Sequence, residues 1–146
     1  MNYINKNNTI LKLNEKNKFG SFPILEGIKI DNIEIVELLM EYANKNNIII
    51  KLNEKNESGN TPILEVIYND NIEMVKLLMD YADKNGIILI LNEKNKNGNI
   101  PILEAINNED IEIVKFLIEY ANKNNIILEL NEKNIIGNTP IFRGYK

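Results

Sequence analysis

The tetrapeptide Leu-Asn-Glu-Lys begins at Leu13, Leu52, Leu91 and Leu130, each 39 positions after the last. Self-similarity at a fixed period of this length marks a solenoid, in which one supersecondary unit stacks on copies of itself. Such arrays present an extended surface rather than a closed pocket, so the first expectation is a binding scaffold. Three complete units fit, at 17–55, 56–94 and 95–133. Residues 1–16 match the tail of a unit and 134–146 match its opening. The whole of 1–146 therefore reads as a single repeat array that starts and stops inside repeats, as a piece of a longer one would.

Composition narrows the function. A net charge of −4 argues against a grip on nucleic-acid phosphates. With no Cys and no His, disulfides, zinc-finger spacings and Cys or His nucleophile–base pairs are excluded. No apolar run approaches the roughly 18 residues of a membrane span. Residues 1–16 are too polar for a secretory leader. Lack of Cys fits a reducing compartment, so the expected location is cytoplasmic. No cofactor is expected.

The middle unit shows the local logic. Asn56-Glu-Ser-Gly59-Asn-Thr61-Pro62 combines turn chemistry with a helix start. Gly20, Gly59, Gly98 and Gly137 share one slot, as expected where φ must be positive. Thr61 and Thr139 are candidate caps, a hydroxyl missing from the Phe22-Pro23 and Ile100-Pro101 copies. A short helix is predicted from Pro62 to about Tyr68. Asp70 with Glu73, and Asp31 with Glu34, resemble capping boxes for a second helix at about Ile72 to Asp83, with Glu109 and Glu112 a poorer version. That helix has too much apolar surface for one stripe, so both of its sides should pack on neighbouring units. Ile87-Ile-Leu-Ile-Leu-Asn92 and its counterparts alternate with period 2, predicting a short extended stretch in each repeat. Pairing of these stretches is left open.

Gly59-Asn-Thr-Pro-Ile-Leu, the three-residue break and Ile72-Glu-Met-Val-Lys-Leu-Leu-Met resemble the ankyrin repeat, whose pattern runs G-x-T-P-L-H-x-A before a helix of the form I-V-x-L-L-L. The resemblance covers all three units and both flanks. It departs at the TPLH histidine, replaced by Leu25, Leu64, Leu103 and Phe142, and at the small Ala, which is Gly27, Val66 and Ala105. The unit exceeds the usual length of about 33 by inserting residues between the second helix and Leu-Asn-Glu-Lys. The implied fold is mainly α, a helix-turn-helix solenoid with short extended or β finger segments between repeats. The resemblance also implies a protein-interaction module rather than an enzyme, with partners on the fingertips and on a concave face of first helices.

Comparing the copies singles out variable slots on that implied surface. The fingers read Lys18-Phe19, Glu57-Ser58 and Lys96-Asn97, with Ile135-Ile136 in the last. The slot after the turn Gly reads Ser21, Asn60 and Asn99, and the first-helix end reads Lys29-Ile30, Tyr68-Asn69 and Asn107-Asn108. Phe19, Ile30 and Tyr68 stand out, being large where sister copies are polar. Glu26, Glu65 and Glu104 form a carboxylate ladder, read as a solvated helix face ahead of an acidic strip for a basic partner. Glu34, Glu37 and Glu41 read as a solvated face, not a metal cluster. A spacer array without a ligand, or a targeting appendage of a larger enzyme, would fit the same repeats. Apolar groups at the two ends, Ile10, Leu11 and Leu13 against Ile141, Phe142 and Tyr145, predict end-to-end self-association.

Overall fold

The structure, a computed structural model, describes residues 9–130. Its helices are α1 Pro23–Lys29, α2 Ile33–Lys45, α3 Pro62–Tyr68, α4 Ile72–Lys84, α5 Pro101–Asn107 and α6 Ile111–Lys123. Each short helix packs on the long helix of its own unit. The short helices also stack in a row (α1 on α3 on α5), and the long helices form a parallel row (α2 on α4 on α6). One apolar core runs through all units, from Leu13 through Ile28, Ile67 and Leu78 to Leu117. Leu25, Leu64 and Leu103, which replace the family histidine, lie buried in or against it.

Helix starts differ from expectation in two ways. Thr61 is the N-cap of α3 but makes no side-chain cap bond, and neither do Phe22 or Ile100. The short helices start instead from proline at the first position and from a backbone carbonyl, as in the Glu65 N–H donating to Thr61 O. Missing hydroxyls in two copies therefore cost nothing. For the long helices the caps are Asn32, Asn71 and Asp110, one residue beyond Asp31, Asp70 and Glu109. The latter three occupy left-handed backbone, at φ of 56°, 54° and 58°. That conformation ends the short helix, so the next residue opens the long one, its side-chain oxygen accepting from Ile35, Met74 or Ile113 N–H.

The long helices end in a Schellman arrangement. Asn47, Gly86 and Asn125 take positive φ, and the following Ile48, Ile87 and Ile126 N–H groups reach back to Ala43, Ala82 and Ala121 carbonyls at 2.8–2.9 Å. The Ile-rich stretches then show the predicted alternation. Ile50, Leu52, Leu89 and Leu91 are buried, while Ile49, Lys51, Ile88 and Ile90 are exposed. Among the described residues the stretches form no β-strand.

Their backbone groups are met by side chains from the neighbouring repeat. Asn14 donates to Ile49 O at 2.9 Å and accepts from Lys51 N at 2.9 Å. Asn53 does the same with Ile88 O and Ile90 N, and Asn92 with Ile127 O and Glu129 N. From the other side, Tyr42, Tyr81 and Tyr120 hydroxyls accept from Leu11, Ile50 and Leu89 N–H. Lys16 and Lys55 donate to the carbonyls of Lys55 and Lys94, and pair with Glu54 and Glu93. Every member of Leu52-Asn-Glu-Lys55 thus joins repeats: Leu52 in the core, Asn53 as an amide staple, Glu54 and Lys55 in cross-repeat ion pairs. Burial raises the Tyr120 phenol above its ordinary value, so this bridge stays uncharged at neutral pH.

Replacing Asn53 by Ala removes both staple bonds at one junction. We expect a loss of about 1–2 kcal/mol, seen as a lower urea midpoint. Lys51→Ala on the solvent side should change stability by less than about 0.5 kcal/mol.

Candidate binding surface

The finger turns are built by Asn17, Asn56 and Asn95. In the middle finger Asn56 Oδ1 accepts from Ser58 and Asn60 N–H, both at 3.0 Å, and Gly59 N–H donates to Asn56 O. A side chain at Gly59 would be strained at φ 79° and would meet the next finger, with Asn95 Cα and Lys96 N 3.1 Å away. That closeness lets Lys96 N–H donate to Ser58 O and ties finger to finger.

Several variable slots turn out to be engaged inside the molecule. Asn60 is buried; its amide donates to Glu65 Oε1 and its oxygen accepts from Asn95. Glu65 also accepts from Asn56, so this carboxylate clamps turn to helix. Asn69 and Asn108 donate to the carbonyls of Ile28 and Ile67 in the preceding short helix, satisfying its C-terminal end. The Tyr68 hydroxyl accepts from both Asn95 and Asn99 at 2.9 and 3.0 Å, linking α3 to the next finger. Ser21 is buried with its Oγ unpartnered, and the Oδ1 atoms of Asn99 and Asn107 are likewise buried without a partner.

The remaining slots face solvent. Phe19 is 62% exposed and Ile30 63%, against 36% for Tyr68. Lys18 lies over the Phe19 ring, 5.1 Å from its centroid. Lys29 pairs loosely with Glu26 at 3.9 Å. Glu57, Ser58, Lys96 and Asn97 are exposed at the fingertips. Ile135-Ile136 lies outside the described residues, as do Ile141, Phe142 and Tyr145. At the opposite end Ile10 and Leu11 are exposed, whereas Leu13 is buried and takes no part in an open end face. Among the described residues no cluster of His, Cys, Asp or Glu could hold a metal ion.

Sequence comparison missed Asn56, Asn95 and Glu65 as organisers of this surface. The available signal was the constancy of Asn17, Asn56 and Asn95 at the finger base, since a polar residue kept in every copy usually bonds to the framework.

The electrostatics differ between junctions just beyond the first-helix ends. Asn71 donates to Asp31 Oδ1 at 2.8 Å. One repeat later Asp110 replaces that asparagine, and burial, then the hydrogen bond and the charge of Asp110, raise the Asp70 carboxyl above its ordinary value.

A family model for ankyrin repeats, in three copies, matches residues 3–88 and 26–131. The chain belongs to the ankyrin repeat family. A search of curated proteins finds no match. Ankyrin repeats are generally protein–protein interaction modules and are typically non-catalytic. Among the described residues no helix is long and apolar enough to cross a membrane.

The Asp70 pair makes a signed prediction. A carboxyl raised in the folded state favours folding below its unfolded value, near 3.8, and that contribution is lost as pH rises through the raised value. Asp110→Asn keeps an equally good N-cap and copies Asn71. It should stabilise the protein at pH 7 by about 0.5 kcal/mol or less, the scale of exposed charge pairs. Paired urea titrations should show that difference vanishing at pH 3.

Proposed function

We propose that this chain is a protein–protein interaction scaffold that docks a partner on the row of first helices and fingertips. The supporting observation is the exposure of Phe19 and Ile30, two large apolar side chains at slots where the other two full units are polar. Their neighbours Asn60, Asn69 and Asn108 are held in internal bonds and pre-organise the ledge rather than needing to be ordered on binding. Lys18, Lys29, Glu57, Ser58, Lys96 and Asn97 supply a polar rim, while Ser21, Asn99 and Asn107 belong to the same surface with their acceptor atoms buried beneath it. The partner is a protein rather than nucleic acid or membrane, and the module carries no reaction and no cofactor. The span 1–146 acts as one array, with units at 17–55, 56–94 and 95–133, in a cytoplasmic setting. Self-association would use the exposed Ile10 and Leu11 at one end.

A spacer array is the second reading, favoured by the uniform staple at every junction. Mutation separates the two. Phe19→Ala and Ile30→Ala should leave the circular dichroism spectrum and melting temperature unchanged while weakening capture of a partner roughly 30-fold, the cost of a hot-spot residue of about 2 kcal/mol. Tyr68 is a poorer probe, because its hydroxyl also holds the third finger. Capture unaffected by both substitutions would favour the spacer.

A further inference from the structure

The groove between α2 and α4, on the row of long helices, is chemically unlike its copy one repeat later. A cavity of about 220 Å3 lies there over Met40, Leu77 and Tyr81. Glu37, Glu41 and Asp80 line it; among the described residues none of the three is in an ion pair, and the charge of Asp80 also acts on Lys123 one repeat on. Lys84 is the single basic residue of the lining.

Moving one repeat along shows what this kind of groove accepts. Lys76 takes the slot of Glu37, and its ammonium lies 5.1 Å from the ring centroid of Phe116, which takes the slot of Leu77. Asp83 takes the slot of Asn44 and holds Lys123, the counterpart of Lys84, at 2.7 Å. That hydrogen bond raises Lys123 above its ordinary value. The second groove is therefore supplied with cations by the chain itself. In the first, Glu37 puts a carboxylate where Lys76 stands, Lys84 has Asn44 in the slot of Asp83, and the apolar floor is left for another molecule.

We propose that the α2–α4 groove binds a Lys or Arg side chain presented by a protein partner. The aliphatic stem lies along Met40 and Leu77, and the charged head sits among Glu37, Glu41 and Asp80. Long basic side chains suit such a site because they combine an apolar stem with a cationic end. Lys76 repels the same group from the neighbouring groove, which fixes the register of docking. The site lies on long helices and stands independently of the first-helix ledge.

The probe is the helical peptide acetyl-(Ala-Ala-Arg-Ala)4-amide, titrated into the methyl-labelled 1–146 chain at low salt, with the Glu-for-Arg peptide as control. Saturating shifts at the Met40 and Leu77 methyls are expected with the Arg peptide alone. Glu37→Lys copies the residue found at Lys76 and Lys115, so it should fold, and it should weaken the peptide at least fivefold more than Glu112→Lys does. The second variant makes the same charge change on α6, away from the groove. Glu41→Gln, which removes one carboxylate at constant size, should weaken binding in the same direction. A smaller difference between the two Lys variants, or no saturating shift at those methyls, overturns the proposal.

Discussion

A buried or paired backbone must find partners for its N–H and C=O groups, and the residues inserted between long helix and finger bring extra backbone into each repeat. Strand pairing would be the ordinary solution, but the stretches are separated by a repeat spacing and form no ladder among the described residues. One asparagine per repeat closes the gap. Its amide donates to a carbonyl and accepts from an N–H two residues later, presenting the donor and acceptor of a neighbouring strand on a side chain. The tyrosine of the next long helix satisfies the N–H between them, as Tyr81 does for Ile50.

This arrangement assigns much of the asparagine in the chain to architecture. Asn14, Asn53 and Asn92 staple the stretches, Asn17, Asn56 and Asn95 build the fingers, and Asn69 and Asn108 close helix ends. Outside this framework, Phe19 and Ile30 are exposed on the finger and first-helix side, Leu38 and Ile111 on the long helices, and Glu37, Glu41 and Asp80 line the α2–α4 groove. The molecule offers two chemically distinct faces, one apolar with a mixed rim and one acidic over an apolar floor.

Much of this was legible beforehand. Proline at the first helical position, after the positive-φ Gly59 turn, locates the start of the short helix Pro62–Tyr68, and the Asn69-Asp70-Asn71 break locates its end. Alternation along Ile48 to Leu52 carries the period of 2 that the structure shows, with Ile50 and Leu52 buried and Ile49 exposed. The cap of the long helix was misplaced by one residue because Asp70 and Asn71 are both good caps, and only the left-handed φ at Asp70 decides between them. Asn69 and Asn108 looked variable because the first copy carries Ile30, which has no preceding short helix among the described residues to bond. The staples join residues 35 to 37 positions apart through side chains, and contacts of that kind leave no local pattern. Their trace is the constancy of the asparagine itself.

Hydrogen exchange at single amides bears most directly on the staple. The N–H groups of Lys51 and Ile90 sit in solvent-facing residues with no backbone acceptor, and each donates to an asparagine side chain. Their exchange should be slowed well below that of an unstructured chain and restored at Ile90 by Asn53→Ala. Exchange of both amides at the unstructured rate in the unaltered protein would contradict the claim that asparagine side chains hold successive repeats together.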